Sequence, residues 1–124
     1  EYVSDVETVA VIIQSSLFVC VYVPPNSPWN KVQKFFTDLL NEYTVQLCEQ
    51  HNLSSITFFG DFNATRFYDN LLQLFGQFGL QQYVDRPTHR DGGILDLFFT
   101  NATPSRVCIK PVYFSDHFFV GVSF

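Results

Sequence analysis

Apolar positions fall into short runs and one long helical stripe. Residues 7–13 and 17–23 are apolar and β-branched, separated by Gln14-Ser15-Ser16. Their continuity predicts two paired strands buried on both faces. The second ends at Tyr22-Val23-Pro24-Pro25, since a proline pair cannot continue a ladder. Ser27 or Asn30 could then cap a helix with Pro28 in its first turn. Val32, Phe35, Phe36, Leu39, Leu40, Tyr43 and Leu47 recur at helical spacing, which predicts an amphipathic helix with an aromatic core stripe.

Beyond a His51-Asn52 loop, Ile56, Phe58 and Phe59 form a short run that predicts a buried strand ending at Gly60. Leu71, Leu72, Phe75 and Phe78 carry a shorter helix with Gly79 as its stop signal. Residues 80–84 suggest a short strand, and residues 85–93 (DRPTHRDGG) read as a loop. Three closing strands follow at 94–100, 107–112 and 118–124. In the last, Phe118, Val120, Val122 and Phe124 alternate with smaller or polar residues and predict one buried face. Strands that succeed one another without helices favour a layered α/β sandwich over a doubly wound sheet.

At 124 residues the chain is a single domain at most, and 47% hydrophobic and 18% aromatic content predicts a packed core. A net charge of −5 argues against a module that grips nucleic acid through a broad basic surface. It does not exclude a site that reaches phosphate through a divalent cation. Cys20, Cys48 and Cys108 have no paired spacing and read as buried free thiols in a reducing compartment. No apolar run is long enough to span a membrane.

Polar or ionisable residues mark several strand ends: Tyr22, Asp61 with Asn63, Asp96, and Asp116 with His117. Strand alternation puts Asp96 on one face with Ile94 and Phe98, where a carboxylate needs a partner. An Asp at one strand end and a His at another can form a carboxylate–imidazole pair. Asp61 could take a proton from water while Asn63 donates a nearby amide hydrogen bond. Several carboxylates in one cleft attract Mg²⁺, and together these parts suit metal-assisted hydrolysis of a phosphate ester.

Gly60-Asp61-Phe62-Asn63, then PTHRDGGILDLFFT, then Ser115-Asp116-His117 resemble the endonuclease/exonuclease/phosphatase superfamily. The likeness is closest to the endonuclease domains of non-LTR retrotransposons. It implies a four-layer α/β/β/α sandwich, deoxyribonuclease-like, with the site at one edge between two sheets. It implies that Asp61 orients or deprotonates water, that Asn63 holds water and phosphate, and that His117 polarises the phosphate with Asp96 behind it. Asp116 would act at or near the metal and Tyr22 would touch the phosphate. Thr88 would contact the DNA backbone. Arg86 and Arg90, in the loop that flanks the site, could contact phosphates or belong to a solvated polar loop. The implied cofactor is Mg²⁺ (or Mn²⁺), and the implied partners are DNA and a downstream reverse transcriptase, with a nuclear location.

The family also places an Asn and the principal metal-binding Glu on strands well upstream of the Tyr-x-Pro-Pro strand end. Only 21 residues precede Tyr22, and neither Glu1 nor Glu7 follows the strand pattern that this Glu needs. The chain is therefore expected to be the C-terminal two-thirds of such a domain, incomplete at its N-terminus, with weak or no metal binding alone. Open sheet edges and exposed apolar surface should result. A phosphatase of the same superfamily and an inactive interaction domain are the alternative readings.

Overall fold

A computed structural model describes residues 5–124, apart from the side chains of residues 45–48. Glu1 and the side chains of Leu47 and Cys48 therefore lie outside the described residues. Strands β1 (Glu7–Ile13) and β2 (Ser16–Tyr22) form an antiparallel hairpin. Its two turn residues, Gln14 and Ser15, both have positive φ, the hand that suits the twist of a tight hairpin. Helix α1 (Trp29–Asn41) continues through a π-helical stretch, Glu42–Leu47, into α2 (Cys48–His51). Neither Ser27 nor Asn30 caps α1: its N-cap is Pro28, and the Ser27 hydroxyl donates instead to the Pro24 carbonyl at 2.7 Å.

Strand β3 (Ser55–Asp61) lies parallel to β2, and α3 (Tyr68–Gly76) follows a single 3-10 turn at Ala64–Arg66. Gly79 (φ +78°) ends this helix as expected. The Leu80 N–H reaches the Phe75 carbonyl and the Gly79 N–H reaches that of Gly76, a left-handed C-terminal cap. Strands β4 (Gln81–Gln82) and β5 (Asp96–Thr100) complete a five-stranded sheet of order β1-β2-β3-β5-β4. Strands β6 (Arg106–Lys110) and β7 (Phe119–Ser123) pair as a separate two-stranded sheet.

Helices α1 and α3 cover one face of the larger sheet. Val32, Phe36 and Leu40 of α1 and Leu71, Leu74 and Phe75 of α3 pack on Leu17, Val19, Ile56, Phe58 and Phe99. Phe75 and Phe99 stack with centroids 4.0 Å apart, and Phe36 stacks on Phe62 at 5.6 Å. The smaller sheet faces the opposite side, where the Phe98 and Phe124 rings lie 6.0 Å apart. Between the sheets is a largely apolar gap of about 420 Å³ lined by residues that include Phe18, Phe59, Phe98, Val120 and Val122. This is the expected deoxyribonuclease-like α/β/β stacking, with the outer helical layer absent from the described residues.

Burial departs from expectation where the smaller sheet stops. Strand β1 is an edge strand, and Val9, Val11, Ile12 and Ile13 are exposed, Val9 by 70%. Two strands cannot cover five, so Cys20 is exposed rather than buried and Cys108 is only half-buried. For the same reason the inward row of β7 is half-open, with Val120 and Val122 half-buried and Phe124 exposed.

Candidate active site

Register places the site before any side chain is considered. Tyr22 stands beside Asp61 across β2 and β3, and Asp61 beside Asp96 across β3 and β5. Directly paired residues share a face, so the three form one row on the side turned from the helices. Glu7 opens β1 opposite Tyr22 and extends this row by one strand. The sequence reading set Glu7 aside; a two-residue turn at Gln14-Ser15 would have given its register.

Gly60 and Phe62 position the two functional residues of β3's end. Gly60 takes φ +139°, a conformation open essentially only to glycine, immediately before Asp61. Phe62 is fully buried among Phe36, Phe75 and Phe99, and its N–H donates to the Leu95 carbonyl at 2.9 Å. It is the peg that holds Asp61 and Asn63 on either side of it. Asn63 is left-handed at φ +43°, its backbone N–H donates to Asp61 Oδ1 at 3.0 Å, and its side-chain amide donates to the Val23 carbonyl. One amide hydrogen of Asn63 is thus spent on the Tyr-x-Pro-Pro strand end, and the other remains.

His117 lies between two carboxylates. Its Nδ1 is 2.8 Å from Asp96 Oδ2, a hydrogen bond, and its Nε2 is 3.6 Å from Asp61 Oδ2, a gap that one substrate or water oxygen can bridge. Thr88 builds this arrangement. It is fully buried, its hydroxyl oxygen accepts the N–H groups of Leu95 and Asp96 at 3.1 Å each, and its carbonyl accepts the Phe118 N–H at 2.7 Å. The expected backbone contact to DNA is therefore corrected: Thr88 has no surface to offer and instead ties the start of β5 to the His117 segment. His89, which sequence reasoning missed, bridges to His117 through the backbone and sets its ring edge-on at 5.0 Å. A histidine in the polar loop 85–93 was the available signal.

Asp116 and Arg90 lie to one side. Asp116 Oδ1 is 3.6 Å from Arg90 Nη1 and its side chain is exposed, so it does not join the His117 group as the expected metal residue. Arg90 also donates to the Val112 and Tyr113 carbonyls. Arg86 pairs with Asp85. Both arginines expected at phosphate are held by protein partners.

The electrostatics favour a charged ring. The hydrogen bond to Asp96 raises the His117 pKa above its ordinary 6.5, against desolvation, with further help from the charges of Asp96, Asp61 and Asp116. Burial pushes Asp61 above 3.8, opposed by the Asn63 N–H and aided by neighbouring Asp96. In both groups the folded state binds the proton more tightly than the unfolded chain. Each therefore adds stability on the acid side that is lost as pH rises, for Asp61 from 3.8 upward and for His117 from 6.5 upward. An NMR titration should place the His117 ring above 6.5, and Asp96→Asn should bring it down. An unchanged titration in that variant would remove Asp96 as the cause.

Asp61, Asp96 and His117 offer ligand atoms within 4.8 Å of one another, a possible metal-holding group. The two carboxylates are the hard oxygen donors that Mg²⁺ prefers. The imidazole is a poorer fit, because Asp96 favours a proton on it. Asp61 and Asp96 would hold a divalent ion, in competition with that imidazolium.

Two sheets face to face, helices on one outer side and a polar row at one end of the inter-sheet face make this a deoxyribonuclease-like fold. Cytolethal distending toxin from Actinobacillus actinomycetemcomitans shares it with a TM-score of 0.69 and 20% identity, over 94% of this chain and 52% of the toxin chain. The endonuclease domain of TRAS1, a telomere-specific non-LTR retrotransposon, shares it with a TM-score of 0.64 and 18% identity, over 94% and 59%. The chain thus spans little more than half the length of either structure. No protein-family model matches the chain, and no curated protein does. Among the described residues no helix is long and apolar enough to cross a membrane.

Proposed function

We propose that this chain is the His117-bearing part of a metal-assisted phosphodiesterase, a DNA-nicking endonuclease of the non-LTR retrotransposon type. The observation that carries this reading is His117 held between Asp61 and Asp96, with Tyr22 on the same face and Asn63 just past the strand end. The charged ring offers its Nε2–H to a non-bridging phosphate oxygen, and Asp96 fixes its orientation and balances its charge. Asp61, made more basic by burial, takes the proton of an attacking water. The remaining amide hydrogen of Asn63 and the Tyr22 hydroxyl hold the phosphate. Asp61 and Asp96 would hold Mg²⁺ or Mn²⁺, weakly with these two carboxylates alone, and the ion would supply charge neutralisation on the phosphate.

The structural neighbours' greater length and the bare β1 edge support this chain being part of a larger domain. On this reading DNA is the substrate and a reverse transcriptase is the companion domain. The bare edge equally favours the second reading, an inactive interaction domain. Hydrolysis of bis(p-nitrophenyl) phosphate and of p-nitrophenyl phosphate, with Mn²⁺, separates the possibilities. The chain extended N-terminally to the neighbours' length is expected to prefer the diester. Preference for the monoester would move the reading to a phosphatase, and no hydrolysis of either would favour the inactive domain.

A further inference from the structure

We infer that a groove leading from Asn63 past Arg66 to Trp29 is a docking track for the nucleic-acid strand flanking the scissile phosphate, with Arg66 on a neighbouring phosphate and Trp29 under a base. This rests on the nuclease reading above and names the part of the substrate held beyond the reacting centre.

The groove consists of two adjoining hollows of about 250 and 210 Å³ that share Arg66 and Phe67. Asn26, Asn63 and Thr65 line the first, and Trp29 and Asn70 the second. No Asp or Glu lines either hollow, although the chain carries twelve acidic residues against seven basic ones. Lys31, Lys34, Arg86 and Arg90 each sit within ion-pair distance of an Asp. Arg66 is exposed and, like Arg106 and Lys110 of β6, has no carboxylate partner among the described residues; of these three it alone lines the groove. A free guanidinium amid neutral amides and a hydroxyl is matched to a phosphodiester, which takes its fork-shaped donors without repulsion.

Trp29 supplies the second half of the recognition. Its indole is half-buried, and Phe67 supports it from 5.4 Å at 36° between ring planes. Aromatic faces beside a cationic groove are the usual platform for unpaired bases, since every base has a face to stack. A phosphomonoester of a small molecule would fill the site at His117 and leave this groove empty. The geometry therefore favours a polymeric substrate.

Trp29 is the chain's sole tryptophan, so fluorescence excited selectively at the indole, beyond tyrosine absorption, reads this position alone. The test titrates the chain with a fluorescein-labelled 12-nucleotide single strand in EDTA, following anisotropy, and with the unlabelled strand, following Trp29 emission. Binding is expected to quench the emission. Arg66→Gln, at an exposed position, should weaken binding about fivefold and reduce the slope of log K against log salt by about 0.7. Trp29→Leu should weaken binding about tenfold. Binding with unchanged Trp29 emission and an Arg66→Gln affinity equal to wild type would overturn the groove while leaving the nuclease reading intact. No binding of this strand at low salt would likewise overturn the groove, and plasmid nicking would still test the nuclease reading.

Discussion

In the form extended N-terminally to the neighbours' length, replacing His117 with Ala is expected to reduce phosphodiester cleavage roughly a thousandfold, to the background of the assay. The size of the loss follows from where the ring sits. Its Nδ1 is engaged by Asp96, and its Nε2 faces Asp61 Oδ2 from 3.6 Å. Without the ring the phosphate loses a charged donor, and Asp96 loses the partner it holds at 2.8 Å. Asp61→Ala is expected to act on the same step, by removing the group that takes the proton from water. The double variant should therefore lose little more than either single one, since residues acting as a unit are not additive. Asp96→Asn should cost less, because the ring stays in place with a weaker hold on its proton. Rates measured for all four variants under single-turnover conditions check this order. Full activity in His117→Ala would remove the ring from the mechanism.

Gly60→Ala is expected to cost about 4 kcal/mol or more, a large share of the stability of a domain of this size. A Cβ at Gly60 would stand 2.1 Å from the Val21 carbonyl oxygen and 2.9 Å from the Val21 nitrogen. Both are backbone atoms of the neighbouring strand, so no side chain can swing aside. The φ of +139° adds strain that any L residue would feel. Gly79→Ala is the control. Its φ of +78° is also left-handed, yet nothing lies within 4 Å of a new Cβ, so about 1 kcal/mol is expected. Urea unfolding followed by circular dichroism distinguishes the two. A Gly60→Ala midpoint close to that of Gly79→Ala would show that β2 yields at this point.

What the sequence displayed well was periodic or punctuated. The stripe from Val32 to Leu40 and the Gly79 stop are local signals, and each emerges in the helix expected of it. Asp61 and Asn63 were legible as a pair past a strand end, but the peg between them was not, because nothing local says that Phe62 enters the core. Burial of β1 was misread because a continuous apolar run has the same composition on an uncovered edge as between two layers. Thr88 was misread for a related reason. A hydroxyl in a polar loop looks solvent-facing, and only the folded loop shows it accepting from the N–H groups of Leu95 and Asp96. Asp96 and His117, 21 residues apart, meet through that loop, and no pattern in either strand encodes the meeting. Asp116 was adjacent in sequence but turned toward Arg90.

The most direct measurement is the conversion of supercoiled plasmid to nicked circles in the presence of Mg²⁺, by this chain and by a form extended N-terminally to the neighbours' length. Nicked circles are expected from the extended form, and not from its Asp61→Ala or His117→Ala variants, while the 124-residue chain alone gives little or none. Nicking that survives both substitutions at the wild-type rate would contradict the assignment of the site.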